Sequence, residues 1–146
     1  MTDFPQLEDF LCFAVHSTGF AFNRVYRKLL ARLGLTYAQF LVMAALWSEH
    51  GVSVGALGEK LALDTSTLTP LLKRLEAMGL VARRRSTEDE RRVIVSLTDK
   101  GAALRSEASE IMASVFAAAD LAPQDFRRLT RDIQNLRRNL EKAALS

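Results

Sequence analysis

Apolar residues recur at helical spacing from Phe4 to Leu33. Leu7, Phe10, Leu11, Ala14 and Val15 are followed by Phe22, Val25, Tyr26, Leu29, Leu30 and Leu33, the pattern of one helix face turned to a core. Gly34 comes next and suits a left-handed helix stop, while Gly19, inside the pattern, marks either a bend or a close packing contact. Thr36 and Gln39 have capping-box spacing and open a second helix through about Glu49, apolar on most of its surface and therefore predicted to be buried. Val52–Ser53 reads as a tiny strand and Val54–Leu61 as a short helix. Asp64 is the candidate N-cap of the next helix, which ends at Gly79; Pro70 within it either moves its start toward Ser66 or bends it. Leu80–Arg85 and Arg92–Leu97 alternate as antiparallel strands, with Val93, Val95 and Leu97 on one face. The loop between them, Ser86–Arg91, has no Asn-Gly or Gly-Gly turn and so projects. Thr98 with Asp99 caps a long helix to about Asp120, and Pro123 opens a last one to Leu145.

From Leu57 to Leu97 the order is helix, turn, helix, strand, loop, strand. That order fits a helix-turn-helix followed by a β-wing, an arrangement that puts one helix into a DNA groove and a charged ribbon beside it. The expected fold is mainly α with a small β-wing: a winged helix-turn-helix lobe over residues 36–97, flanked by helical regions 1–35 and 98–146 within one domain.

Charge sharpens this picture. The 146 residues carry a net charge of +3, and the stretch Lys73–Arg92 accounts for all of it. It holds Lys73, Arg74, Arg83, Arg84, Arg85, Arg91 and Arg92 against Glu76, Glu88, Asp89 and Glu90, leaving 13 basic and 13 acidic residues elsewhere. A phosphate backbone is the natural partner of so concentrated a patch, and a solvated hairpin is the plain alternative. The longest apolar run, Phe40–Trp47, is far shorter than a membrane span. The opening MTDFPQLEDF has no basic segment of the kind that starts a secretory leader. One cysteine cannot form an internal disulfide, which fits a reducing cytoplasm. Two histidines and that cysteine, widely separated, make no metal constellation, and neither a metal nor a cofactor is expected.

Within the helix after Asp64, Thr65, Ser66, Thr67 and Thr69 offer hydrogen-bonding side chains near the N-terminus, and Lys73 and Arg74 offer cations further along. Helix N-terminal amides also favour phosphate. In the wing, Arg83, Arg84, Arg85, Arg91 and Arg92 are on offer, an arginine at a loop tip being suited to the narrow, electronegative minor groove of A·T-rich DNA. Taken singly, the threonines serve equally as caps and the arginines as solvated surface.

The segments DTSTLTPLLKRLEAMGLV, RRRSTEDERRV and LTDKG resemble the multiple antibiotic resistance regulator (MarR) family, and the likeness extends over most of the chain. In that family terminal helices build a homodimer, and the dimer binds a pseudo-palindromic double-stranded DNA operator as a repressor. The likeness implies that 1–35 and 98–146 form the dimerisation region, that Arg91 enters the minor groove, and that Asp89 orients a neighbouring arginine. LCFAV, Tyr26 and LTYAQF look like the organic hydroperoxide resistance regulator branch. There an N-terminal cysteine is oxidised by organic peroxides and the repressor leaves DNA. Cys12 matches that cysteine, and Tyr26 and Tyr37 match tyrosines that hydrogen-bond its thiolate.

On composition alone Cys12 is a buried small apolar residue among Leu11, Phe13 and Val15. Cys12 and Tyr26 would lie about 21 Å apart on one straight helix, so their contact needs a break near Gly19 or, as favoured here, the partner subunit of a dimer. Oxidised Cys12 would end as a mixed disulfide with a low-molecular-weight thiol, a sulfenamide, an overoxidised acid or an intersubunit link. His16, one turn after Cys12, either tunes the thiol or lines the interface, and His50 reads as a loop residue. The leading expectation is a dimeric, non-enzymatic repressor that senses organic hydroperoxides. A regulator released by a small aromatic or anionic ligand, with Cys12 merely packed, competes with it. A thiol peroxidase and a helical adaptor that never meets DNA stand further off.

Overall fold

Caps and glycine stops set the boundaries of nearly every element. In the computed structural model, which describes residues 3–146, a 3-10 turn at Leu7–Asp9 precedes α1 (Leu11–Leu30). Met1 and Thr2, where the leader reading and the 1–35 region begin, lie outside the described residues. The helix expected over Phe4–Leu33 is therefore shorter. Phe10 is extended (φ −79°, ψ 116°) and no side chain caps the first turn, so the preceding 3-10 turn does not propagate into α1. At its other end the chain tightens to 3-10 over Ala31–Leu33 and stops at Gly34, whose φ of 68° is left-handed. Gly19 marks neither a bend nor a tight contact: α1 runs through it, and a Cβ there would meet nothing within 4 Å.

α2 (Tyr37–Ser48) has the complete capping box, Gln39 N donating to Thr36 Oγ1 at 3.2 Å and Thr36 N to Gln39 Oε1 at 3.0 Å. Being apolar on most sides, it is the central helix, with Phe40, Val42, Met43 and Leu46 buried. β1 (Val52–Ser53) and α3 (Val54–Leu61) follow, and a turn through left-handed Ala62 leads to α4 (Thr65–Ala77). Pro70 lies inside α4 without ending it, and the helix starts at Thr65. Leu57 of α3 and Leu68, Leu72 and Leu75 of α4 join Val42, Met43 and Leu46 in one core.

β2 (Val81–Arg85) and β3 (Val93–Leu97) pair antiparallel, and β1 adds to the far side of β3, giving the order β1-β3-β2. Val95 sits between Val52 and Arg83 in register and is fully buried. The two-residue strand thus ties the wing's base to the core, a pairing that a two-residue run is too short to encode by alternation.

The helix expected over 98–120 is two helices, α5 (Asp99–Ala103) and α6 (Arg105–Ala119), separated at Leu104, where ψ rises to −14° and the side chain packs on the core. Thr98 Oγ1 accepts from Gly101 N at 3.0 Å and donates to Gly79 O at 2.6 Å. Trp47 Nε1 donates to Gly101 O at 2.9 Å. The ends of α4, of β3 and of α2 therefore meet at Thr98–Gly101.

Two compact units emerge, one through Ile111 and the other from Met112 onward. In the second, α7 (Pro123–Ala144) begins on Pro123, and the Phe116 and Phe126 rings pack 5.0 Å apart. No single helix among the described residues is long and apolar enough to cross a membrane.

Candidate nucleic-acid interface

α4 buries Leu68, Leu72 and Leu75 on one face, so helical periodicity turns the line Thr65–Thr69–Lys73 and the line Ser66–Pro70–Arg74 outward. Thr65, Ser66, Thr67, Lys73 and Arg74 are exposed, and Thr69 is half-buried with its hydroxyl donating to Thr65 O at 2.8 Å. Asp64 caps the helix. Its Oδ1 accepts from Thr67 N and from Ser66 Oγ, both at 2.8 Å. Hydrogen bonds from Thr67 and then Ser66 hold the Asp64 carboxyl below its ordinary value. A depressed folded-state value means that the cap's stabilisation is present above the ordinary carboxylate range and is lost as pH falls through the depressed one. Asp64→Ala is expected to lower the melting temperature by about 3 °C at neutral pH. The gap to the parent should narrow on acidification. A gap that stays constant from neutral to strongly acidic pH would show that the charged cap contributes nothing.

The wing loop is built by side chains in place of a glycine turn. Ser86 Oγ accepts from Glu88 N at 3.2 Å and Asp89 N at 3.3 Å, while Ser86 N donates to Arg92 O at 2.8 Å and Arg92 N to Asp89 O at 2.9 Å. Asp89 Oδ1 accepts from Arg91 N at 3.1 Å and from Arg91 Nε at 3.4 Å, leaving the Arg91 side chain 92% exposed. Arg85 Nη1 donates to Glu90 O at 2.9 Å, bracing the loop from the strand side. Arg84, Arg85 and Arg92 are exposed. Ser86 carries little signal in the sequence, only that of a serine two and three residues ahead of amides that no strand satisfies.

One member of the basic cluster stands apart. Strand alternation puts Arg83 on the same side of β2 as buried Val81. There its Nη2 donates to Glu76 Oε1 and its backbone N to Glu76 Oε2, both at 3.1 Å. Its side chain is only 25% exposed, so Arg83 is a strut and not part of the outward-facing cation set. The hydrogen bonds from Arg83 hold the Glu76 carboxyl below its ordinary value.

Cys12 is exposed, which overturns its reading as a packed core residue. It occupies the second position of α1, and the His16 ring one turn on packs edge-to-face against Phe20, centroids 4.8 Å apart. Tyr26 is buried and stacks on half-buried Tyr37 at 4.5 Å. Burial, with the neighbouring Tyr37 adding to it for Tyr26, pushes both phenols up, so both keep their protons at neutral pH and remain donors. Because α1 is unbroken from Leu11 to Leu30, Cys12 and Tyr26 stand about 21 Å apart along it. The fold of one chain brings the two tyrosines together and leaves the thiol away from them. His50 lies in an exposed bend after α2. Among the described residues no three His, Cys, Asp or Glu side chains are grouped to hold a metal ion.

Known proteins share this arrangement. Residues 24–108 match the family model described as transcriptional regulator SarA/Rot. Over 143 residues the chain is 45% identical to the HTH-type transcriptional regulator TtmR of Methylorubrum extorquens, covering 97% of this chain and 73% of that protein. Over 140 residues it is 37% identical to the organic hydroperoxide resistance transcriptional regulator of Bacillus subtilis, covering 96% and 95%. The structure of reduced AbfR bound to DNA has the same fold, with a TM-score of 0.79, 33% identity and 90% of each chain covered; AbfR comes from Staphylococcus epidermidis. With the helix-turn-helix, the wing and these relatives in agreement, the chain belongs to the SarA/MarR-type winged-helix transcriptional regulators.

Proposed function

We propose that the protein is a homodimeric, cytoplasmic repressor that binds a pseudo-palindromic operator and releases it when an organic hydroperoxide oxidises Cys12. The observation that carries the reading is a single exposed thiol at the start of α1 in a chain 37% identical, nearly end to end, to an organic hydroperoxide resistance regulator. DNA would be held by Thr65, Ser66, Thr67, Thr69, Lys73 and Arg74 of α4 and by Arg84, Arg85, Arg91 and Arg92 of the wing, with Asp89 aiming Arg91. The terminal regions 1–35 and 98–146 would form the dimer. In support, Leu11, Val15 and Phe20 on α1 and Leu129, Ile133 and Leu140 on α7 are exposed in the single chain, and exposed apolar side chains grouped on a helix are what a partner surface would cover.

In the dimer the thiol of one subunit would meet the partner subunit's Tyr26 and Tyr37, whose protonated phenols donate to a thiolate, the species that a peroxide attacks. Cys12 Sγ forms a bond to the outer peroxide oxygen as the O–O bond breaks. The sulfur is oxidised by two electrons to a sulfenic acid, and the departing alkoxide takes up the proton that the thiol had released and leaves as an alcohol. A low-molecular-weight thiol could then condense with the sulfenic acid, releasing water and forming a mixed disulfide.

The test is operator binding before and after treatment with cumene hydroperoxide, in the parent and in Cys12→Ser. Oxidised parent should lose the operator at concentrations where Cys12→Ser keeps it, with one oxygen added per chain by mass spectrometry. A parent that holds DNA equally well after oxidation overturns the sensing reading while leaving DNA binding intact.

A further inference from the structure

We infer that Glu76 and Arg83 form a positioning clamp that fixes the wing relative to helix α4, so that Glu76, at the end of α4, sets operator affinity through Arg91. This rests on the proposal that α4 and the wing grip DNA together.

Glu76 lies in the last turn of α4, and Arg83 is the central residue of β2. One carboxylate spans both elements: Oε1 takes the guanidinium Nη2 and Oε2 takes the strand's own amide, each at 3.1 Å. The amide bond matters most here, because it ties the backbone of the wing, and not only a flexible side chain, to the recognition helix. The Arg83 side chain is only 25% exposed and its buried Nε has no hydrogen-bond partner. Among the described residues no other acceptor takes a hydrogen bond from its side chain, so removing the Glu76 charge leaves a partly buried cation unpaired. Two residues beyond Arg83, Arg85 braces Glu90 O, and Ser86 and Asp89 then fix the loop down to Arg91. A rigid path therefore runs from the end of α4 to the wing tip. Releasing it at Glu76 lets the ribbon sample positions from which Arg91 no longer reaches the groove that α4 has chosen, and the ordering of the wing must then be supplied at binding.

A double-mutant cycle with Arg91→Ala tests this, read as operator affinity at fixed salt with folding followed by thermal melting. Glu76→Gln keeps the shape of the side chain and removes its charge. It is expected to weaken binding about tenfold in the parent background and less than about twofold once Arg91 is already alanine, because the clamp then has no tip contact left to position. Amide exchange across β2 and the loop should rise in Glu76→Gln while α2 keeps its protection. Should Glu76→Gln fail to fold, Glu76→Asp, whose carboxylate is one methylene too short to span both donors, takes its place in the same cycle with the same expected outcomes. Equal weakening in both backgrounds, or no weakening in the parent, overturns it. If Arg91→Ala alone binds like the parent, the wing-contact reading itself fails, and that is visible without any Glu76 variant.

Discussion

Gly101→Ala is expected to destabilise the protein by about 3 kcal/mol or more, lowering the melting temperature by about 10 °C. Ordinary propensity points the other way, since alanine in a helix is favoured over glycine by about 1 kcal/mol. The decisive quantity is a distance. A Cβ at position 101 would lie 2.0 Å from Leu80 O and 3.0 Å from Leu80 C. Both atoms are backbone, so no rotamer change relieves the overlap, and the carbonyl is already fixed by Thr98 N at 3.1 Å. Moving α5 away would strain the Trp47 Nε1 bond to Gly101 O and the Thr98 bonds to Gly101 N and Gly79 O. Gly55→Ala is the control: it sits in the first turn of α3 with nothing within 4 Å of the added carbon, so it should melt at or above the parent. Thermal unfolding of the two variants side by side decides the matter, and a Gly101→Ala protein as stable as the parent would mean that the close approach does not persist in solution.

Arg91→Ala is expected to weaken operator binding about tenfold per wing, hence about a hundredfold for the proposed dimer, which would place two wings on one operator, or ~2.7 kcal/mol. Its side chain is almost wholly exposed and its ion pair with Asp89 lies at the surface. Losing that pair therefore costs the fold little, and the melting temperature should stay within about 1 °C. The electrostatic signature is more specific than the affinity. Each arginine that neutralises phosphate charge contributes about one to the slope of log affinity against log salt, so the dimer should lose about two. Titrations at several salt concentrations read both quantities. Unchanged affinity and slope would remove Arg91 from the interface.

Much of this was legible in the chain because it rests on local rules. The capping box at Thr36 and Gln39, the cap at Asp64, the stops at Gly34 and Gly79 and the wing strands each follow from residues within a few positions of one another. The failures have a common cause. Helix propensity continued through Phe10 and through Leu104, where the backbone breaks, because a periodic apolar pattern reports which face is buried and not whether the axis continues. Ser86 was missed because its partners are amides that only the folded loop presents to it.

Sequence by itself determined the order of helices and strands, the family, and the concentration of all net charge between Lys73 and Arg92, since each is a property of residue type and spacing along the chain. Tertiary structure decided which of those charges face outward. Arg83 and Arg84 are neighbours with the same side chain, yet strand alternation and the carboxylate of Glu76 turn one into a strut and leave the other exposed. It likewise placed β1 beside β3, exposed Cys12, and set Tyr26 against Tyr37 while an unbroken α1 keeps the thiol about 21 Å from Tyr26 along its axis. Those outcomes depend on which distant segments share a core, and no local pattern carries that information.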